Sequence, residues 1–319
     1  MLDLDVRQML APLQAAQVPD LADLPPEGAR ALYRQIMAAH GPGPDASEVQ
    51  TQVLHAPGDG GPLEVRLYRP AQAPAAVLPV VLFLHGGGYS VGDLEGYDPI
   101  CRQLCVDSGA AVATVAYRLA PEHPMPAGMA DAWATLLWLH GGCPALGLDP
   151  ERIAVAGDSA GAAMAAVLAL LARDSGGPVL RGQALLYPPA AGGHAEGPQG
   201  PFLSHQRHAL GPTLTARTMQ RFNAWTYGEA GRAASWREAA PLLAPDFSGL
   251  PPALMMLAGL DTLHDEGHAL AAALLAAGSP VTLVDYATLP HGFLSMAGPV
   301  PAARLAQRQL GLWLAERLR

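Results

Sequence analysis

Short apolar runs alternate with amphipathic helical patterns along most of this 319-residue chain, and this alternation constrains the fold more than any other feature. The runs are rich in Val, Leu and Ala, as expected of strands that are buried on both faces. Strands that alternate with helices form a mainly parallel sheet through right-handed crossovers. The sequence therefore predicts an α/β protein with a sheet of about eight strands that is covered by helices on both sides.

The first two strands are predicted to form a hairpin around Gly58–Gly61, and the other strands are separated by helices. The predicted strands are Val49–Ala56, Leu63–Tyr68, Val77–Leu84, Ala111–Ala116, Arg152–Ala156, Gln183–Tyr187, Ala253–Ala258 and Val281–Tyr286. The predicted helices lie near Val6–Gln17, Pro26–Ala39, Tyr97–Ser108, Ala127–His140, Ala160–Arg173, Leu214–Tyr227, Glu266–Ala277 and Pro301–Leu318.

Two segments stand outside this rhythm. Residues 1–48 contain the two short N-terminal helices, and the Gly/Pro segment Gly41–Pro44 ends the second helix. Residues 190–238 are too long for a simple connection between two strands, and we interpret them as an insertion that covers the ligand-binding edge of the sheet. The domain organisation that follows is an N-terminal segment 1–48 and a main α/β domain 49–319 that carries the insertion.

Charge and composition limit the classes of binding partner and the cellular location that we expect for this chain. The net charge of −9 disfavours binding to phosphate backbones, so we expect no nucleic-acid partner. Acidic residues stand at Met1–Asp5, where a signal peptide needs basic ones, and the most apolar stretch, Ala160–Ala172, is too short to span a membrane. A cytoplasmic protein without membrane insertion is predicted. Three cysteines without a Cys-x-x-Cys pair favour buried thiols over disulfides or a zinc site.

An apolar strand runs directly into Gly157-Asp158-Ser159-Ala160-Gly161 and then into an Ala-rich helix. This is the context of a nucleophile elbow, a tight turn that exposes a reactive serine at the edge of the sheet. The two glycines remove side chains that would collide across the turn. The alternative is a tight turn without chemistry, but the position between strand and helix favours Ser159 as the nucleophile.

A serine nucleophile needs a general base, and the base needs an acid that orients it. Asp261 follows a predicted strand, and His291 stands on the loop after the next strand, so both are expected beside Ser159. Asp265 is an alternative acid, with a position on a helix as the other interpretation, and Asp285 lies within a strand pattern. The alternative for His291 is an exposed loop histidine.

The glycine run after the third strand is suited to stabilising negative charge. Glycines let backbone N–H groups approach a substrate oxygen, so Gly87 and Gly88 are the expected oxyanion donors, with the N–H of Ala160 as the third. His85 is interpreted as a structural residue that holds this loop. A phosphate-binding role is disfavoured because no Gly-Lys-Ser/Thr follows.

One histidine pair resembles the ligands of a zinc helix. His264 and His268 are four residues apart, but a Glu does not follow the first His and Gly267 weakens the helix. We therefore expect no metal.

Together these motifs resemble the hormone-sensitive-lipase-like branch of the α/β-hydrolases, the bacterial family IV esterases. The matching motifs, in family order, are His85–Tyr89, Tyr117–Pro124, Gly157–Gly161, Asp261–Gly267 and His291–Phe293. The resemblance implies a triad of Ser159, Asp261 and His291, an oxyanion hole of Gly87, Gly88 and Ala160, and no cofactor. Thr262 and His264 stand where the family usually has Pro and Arg, and Tyr117–Pro124 is similar to a structural loop of the family.

The resemblance also implies a cap, formed by residues 1–48 and 190–238, over the site. The expected activity is hydrolysis of short to medium acyl esters through an acyl-enzyme. Alternatives are a lipase, a hydrolase of amides, carbamates or lactones, or a non-catalytic receptor, and a homodimer through the last strand is also open. Apolar residues of the insertion are candidates for an acyl pocket: Phe202, Leu203, Leu210, Leu214, Met219, Phe222 and Trp225.

Overall fold

A computed structural model describes the protein at residues 1–38, 41, 43–45, 47–73, 77–197 and 200–319. Ala39, the predicted end of the second helix, and Pro42 of the Gly/Pro segment Gly41–Pro44 lie outside the described residues. The strands are β1 Val49–Ala56, β2 Leu63–Pro70, β3 Leu78–Leu84, β4 Ala111–Val115, β5 Leu148–Asp158, β6 Leu180–Leu186, β7 Glu196–Gly197, β8 Gly200–Pro201, β9 Ala253–Leu260 and β10 Val281–Pro290. The helices are α1 Leu4–Ala15, α2 Pro26–Ala38, α3 Leu94–Ser108, α4 Ala127–Gly142, α5 Ala160–Asp174, α6 Ser204–Arg207, α7 Ala216–Tyr227, α8 His264–Ala276 and α9 Pro301–Arg317.

The central sheet confirms the predicted α/β architecture. Its eight strands lie in the order β1-β2-β4-β3-β5-β6-β9-β10. The pairs β1–β2 and β2–β4 are antiparallel, and all other neighbours in the sheet are parallel. The predicted hairpin is β1–β2, and β10 is one edge of the sheet.

Side chains along the inner strands alternate between two apolar cores, which is why these strands read as continuous apolar runs. In β3, Leu82 and Leu84 face one core, while Val81 and Phe83 face the other. Buried residues of α4, α5 and α8 complete the first core. Those of α1, α3 and α9 complete the second.

The structure shifts several predicted boundaries by local interactions. The first helix begins at Leu4 instead of Val6 because the Asp3 carboxylate caps it by accepting hydrogen bonds from the N–H groups of Asp5 and Val6. In residues 190–238 only α7 was expected. The two-residue strands β7 and β8 and the one-turn helix α6 are too short for any periodic signal.

The N-terminal helices are attached to the segments that follow β3 and β4. Nε of Arg30, on α2, donates to the carbonyl of Ser90 at 2.9 Å, and its Nη2 donates to the carbonyl of Ala120 at 3.0 Å. Thr215, the N-cap of α7, donates to Asp20 at 2.9 Å. These contacts hold α2 and α7 near the carboxyl edge of the parallel strands. Among the described residues no helix combines the length and apolarity needed to cross a bilayer.

Candidate active site

Ser159 occupies a strained turn between β5 and α5. Its φ of 50° and ψ of −122° lie in a region that residues other than glycine rarely adopt. A Cβ on Gly157 would lie 2.4 Å from the backbone of Gly161, and one on Gly161 would lie 1.9 Å from the carbonyl oxygen of Leu84. Both glycines are therefore required by close backbone approach, and this confirms the predicted reason for their presence.

Ser159, His291 and Asp261 form a continuous hydrogen-bonded chain. Oγ of Ser159 lies 2.8 Å from Nε2 of His291, and Nδ1 of the same ring lies 2.7 Å from Oδ2 of Asp261. Asp261 directly follows β9 and His291 directly follows β10, so two adjacent parallel strands deliver both side chains to one edge. The three residues singled out in the sequence are thus brought together.

The Asp261 carboxylate is almost fully buried and held on its second oxygen. Oδ1 accepts a hydrogen bond from the N–H of Leu263 at 3.0 Å and another from the hydroxyl of Thr262 at 3.4 Å. The alternative acids lie elsewhere. Asp265 accepts a hydrogen bond from the N–H of Ser204, and Asp285 pairs with His264. Of these three carboxylates, only that of Asp261 is hydrogen-bonded to His291.

The glycine loop after β3 lies beside Ser159 and lines the same cavity. Gly87 and Gly88 have positive φ angles of 108° and 55°. A Cβ on Gly88 would lie 2.1 Å from the ring of Phe222, on α7, so this position is closed to other residues. Ala160 is the first residue of α5, where a helix leaves its N–H groups without an intrahelical acceptor.

His85 holds the glycine loop in place, as the sequence predicts. The side chain is 1% exposed and stacks on Tyr117 with ring centroids 4.2 Å apart. Its Nδ1 lies 2.8 Å from the carbonyl oxygen of Gly86, and its own carbonyl accepts a hydrogen bond from the Tyr117 hydroxyl. Burial lowers the pKa of the His85 imidazole to about 4.

Asp158 has a role that the motif alone did not reveal. Its Oδ1 accepts a hydrogen bond from the N–H of Gly86 at 2.8 Å, and its Oδ2 accepts one from the Tyr97 hydroxyl at 3.2 Å. The carboxylate therefore ties the nucleophile turn to the glycine loop. Burial raises the pKa of Asp158 to about 6, despite the opposing effect of nearby His291 and of these hydrogen bonds. The only feature of the sequence that could have indicated this role is the position of Asp158 inside the Gly157–Gly161 motif.

The raised pKa of Asp158 predicts a pH-dependent stability difference. Between about pH 4 and 6 the folded protein binds more protons at this carboxyl than the unfolded chain, so its contribution to the free energy of unfolding falls as pH rises. Asn does not titrate. We therefore expect the free energy of unfolding of Asp158→Asn, relative to wild type, to rise by about 3 kcal/mol over this window. Urea denaturation at a series of pH values measures it.

His85 also changes the free energy of unfolding with pH, and this contribution must be separated from that of Asp158. Its lowered pKa makes stability rise with pH in the same window, because the unfolded chain binds the proton that the buried ring rejects. This slope is present in both proteins and cancels in the difference. Parallel stability curves for the two proteins would contradict the assigned burial cost of the Asp158 carboxylate.

A cavity of about 560 Å³ opens above Ser159 and His291, within the size range of ligand sites. Of the acyl-pocket candidates, Leu214, Met219 and Phe222 line it. The other four are not among its lining residues: Phe202 packs into the core, Leu203 and Leu210 are 51% and 93% exposed, and Trp225 packs beside Phe222. The N-terminal helices, which were expected in the cap, supply further wall residues that no sequence pattern singled out: Met9, Leu13, Leu32, Tyr33, Ile36 and Met37.

Comparisons with known proteins identify the family of the chain. A family model described as the α/β hydrolase fold matches residues 81–295. The chain is 42% identical over 257 residues to Esterase LipI of Mycobacterium tuberculosis, covering 80% of this chain and 78% of the relative. It is 38% identical over 252 residues to an ethyl acetate hydrolase of Pseudomonas putida, covering 77% and 76%.

Solved structures give the same result. A hyperthermophilic esterase from Pyrobaculum calidifontis superposes with a TM-score of 0.89 at 35% identity, and the match covers 99% of this chain and 98% of that one. Because a family model matches residues 81–295 and the relatives share this degree of identity, the chain belongs to the α/β-hydrolase family, in its hormone-sensitive-lipase-like branch.

Proposed function

We propose that the protein is a carboxylesterase that hydrolyses short to medium acyl esters with Ser159 as nucleophile, His291 as general base and Asp261 as orienting acid. The observation that carries the proposal is the hydrogen-bonded chain from Ser159 Oγ through both nitrogens of His291 to Asp261, located at an apolar cavity. The family relationship to carboxylesterases supports the same reaction class.

In the first half-reaction, Oγ of Ser159 attacks the ester carbonyl while Nε2 of His291 accepts the hydroxyl proton. The buried Asp261 carboxylate stabilises the imidazolium that forms and holds its Nδ1–H. The tetrahedral intermediate then collapses, and His291 returns the proton to the leaving alcohol. The product of this step is an ester between the acyl group and Ser159.

The negative charge of the tetrahedral intermediate needs fixed donors. We assign them to the backbone N–H groups of Gly87, Gly88 and Ala160, and the N-terminus of α5 adds a favourable dipole. Arg30 supports the donor loop by holding Ser90, and Asp158 supports it by holding Gly86. In the second half-reaction, His291 takes a proton from a water molecule whose oxygen attacks the acyl carbonyl, and the same backbone donors face the oxyanion of the new tetrahedral intermediate. The intermediate collapses by breaking its bond to Oγ of Ser159, which receives the proton from His291 as the carboxylic acid leaves.

Substrate size depends on the cap, which we propose consists of residues 1–48 and 190–238. Side chains of α1, α2 and α7 line the cavity above Ser159, so these elements bound the space for an acyl chain. A volume of about 560 Å³ suits esters of small and medium size. The name of the Pseudomonas putida relative, an ethyl acetate hydrolase, points in the same direction.

The chain-length preference is tested with p-nitrophenyl acetate, butyrate, octanoate and palmitate. We expect kcat/KM to be highest for butyrate or octanoate and to fall for palmitate. Ile36→Trp fills the cavity from α2, so this variant should lower kcat/KM for octanoate much more than for acetate. Leu203→Trp is the matched control, because Leu203 is exposed and is not a lining residue of the cavity.

Two results would contradict the proposed substrate range. A rate that is highest for palmitate and that increases at a lipid interface would indicate a lipase. An equal loss of octanoate hydrolysis in both Trp variants would place the acyl chain outside this cavity. A panel of matched amides, carbamates and lactones separates the esterase from the related hydrolases. The complete triad disfavours a non-catalytic receptor.

Two further predictions concern the setting of the protein. We propose a cytoplasmic location, which the three buried, unbridged thiols of Cys101, Cys105 and Cys143 support because reducing compartments preserve free cysteines.

We also propose a homodimer that pairs along β10, an edge strand on which Leu283 is 41% exposed. Sedimentation velocity distinguishes a monomer from a dimer.

A further inference from the structure

A second cluster of chemically competent side chains lies apart from the hydrogen-bonded triad, between α8 and β10. Nε2 of His264 lies 2.7 Å from Oδ2 of Asp285, and Nε2 of His268 lies 3.3 Å from the same oxygen. The two ring nitrogens are 3.2 Å apart. Two imidazole nitrogens and one carboxylate oxygen therefore converge on a single point within 4.8 Å of one another.

Close packing of α8 on the sheet creates this convergence. His264 and His268 lie one helical turn apart, with ring centroids 4.5 Å from each other. A Cβ on Gly267 would lie 2.4 Å from the side chain of Leu257 on β9, so the glycine that weakens the helix in isolation lets it approach the sheet. Asp285 reaches the pair from the neighbouring strand β10, and no spacing within the helix could indicate that partner.

A neighbouring carboxylate lies within ion-pair distance of the first histidine. Oδ1 of Asp265 lies 3.5 Å from Nδ1 of His264, while its Oδ2 accepts a hydrogen bond from the N–H of Ser204 at 2.8 Å. A carboxylate beside Nδ1 favours the tautomer that carries its proton there and leaves the Nε2 lone pair available. Histidine ligands of metals in proteins almost always donate this N–H to a carboxylate, a carbonyl or water, and Asp265 stands at ion-pair distance from that position.

The donor set and its spacing suit a tetrahedral transition metal. Ligand bonds of about 2.0–2.2 Å place the ligand atoms of a tetrahedral zinc site roughly 3.3–3.6 Å apart. Two of the three distances, 3.2 and 3.3 Å, are close to that range, and the third requires a small rotation of the half-exposed Asp285. Imidazole nitrogen selects zinc and its neighbours over magnesium or calcium.

We infer that His264, His268 and Asp285 form a binding site for a divalent transition metal of the Zn²⁺ class, with the fourth position open to water. The ion joins the first two turns of α8 to the edge strand β10. These are the segments that follow Asp261 and precede His291, so metal binding stabilises the framework of the active site without touching its reacting atoms. The acidic side chains of Asp265 and Glu266 offset the positive end of the helix.

Zinc binding by the purified protein, after chelator treatment and dialysis, tests the inference. Competition with a chromophoric chelator measures affinity and stoichiometry, and thermal unfolding with added Zn²⁺ measures stabilisation of the folded state. We expect one ion per chain and a melting temperature that rises with Zn²⁺ concentration. Anomalous scattering at the zinc edge should place the ion among the three side chains.

Matched variants make the test specific. His268→Gln replaces a side chain that is 41% exposed, so the variant should fold normally. Loss of a group that only supports a metal ligand typically lowers metal affinity by roughly 10–100-fold, and loss of the ligand His268 itself should lower it further. Asp285→Asn should weaken it similarly. His55→Gln changes an exposed histidine on β1, at the opposite edge of the sheet, and should bind like wild type. Equal affinity of wild type and His268→Gln, or equal weakening by His55→Gln, overturns the site.

Discussion

Ser159→Ala is expected to reduce kcat for p-nitrophenyl butyrate by about a million-fold while the protein remains folded. The variant removes only the Oγ that lies 2.8 Å from Nε2 of His291, and it leaves the hydrogen bond between His291 and Asp261 in place. Without an attacking oxygen no acyl-enzyme forms. The residual rate, roughly 10³–10⁴-fold above the reaction in water, reflects the oxyanion donors and substrate binding alone.

Labelling with an organophosphonate supplies an independent readout of the same residue. The probe should attach to Ser159 in the wild type and should not label Ser159→Ala. Ser248→Ala, at an exposed serine that is hydrogen-bonded to Asp246, is the matched control and should hydrolyse and label like wild type. A rate near the wild-type value in Ser159→Ala, with normal thermal unfolding, would show that another group performs the attack.

The positions of Ser159, Asp261 and His291 were predictable because each follows a parallel strand directly. Parallel strands end at one edge of a sheet, so sequence order is enough to place the three side chains near one another. The glycine loop was predictable for the same reason, since it follows β3. The helical cover of the sheet was predictable because its apolar periodicity is long and regular.

The full set of cavity-wall residues and the partner of the His264–His268 pair were not predictable. Leu210 and Leu214 are close in the chain, yet the first is 93% exposed and the second lines the cavity. Asp285 meets His264 only because α8 packs closely against the adjacent strands. These arrangements depend on contacts between distant segments, and local pattern carries no information about them.

Asp261→Asn is expected to lower kcat by about 10⁴-fold, since it reverses the tautomer of the catalytic base. The N–H of Leu263 donates to Oδ1 of Asp261, and this requires an oxygen at that position in the variant. The amide nitrogen of Asn then occupies the place of Oδ2 and donates to Nδ1 of His291. Nε2 must therefore carry the proton, and it points at Ser159 as a donor that cannot accept the hydroxyl proton.

Asp265→Asn is the control that separates the two candidate acids. Asp265 lies on the first turn of α8, where its carboxylate accepts a hydrogen bond from the N–H of Ser204 and makes no hydrogen bond with His291. This variant should keep kcat near the wild-type value, and both variants should show the circular dichroism and melting behaviour of a folded protein. The opposite order of losses, with Asp265→Asn the less active enzyme, would assign the orienting role to Asp265. A small loss in Asp261→Asn would mean that the ring of His291, which packs against Tyr187 with centroids 4.9 Å apart, is oriented by packing instead of by its carboxylate.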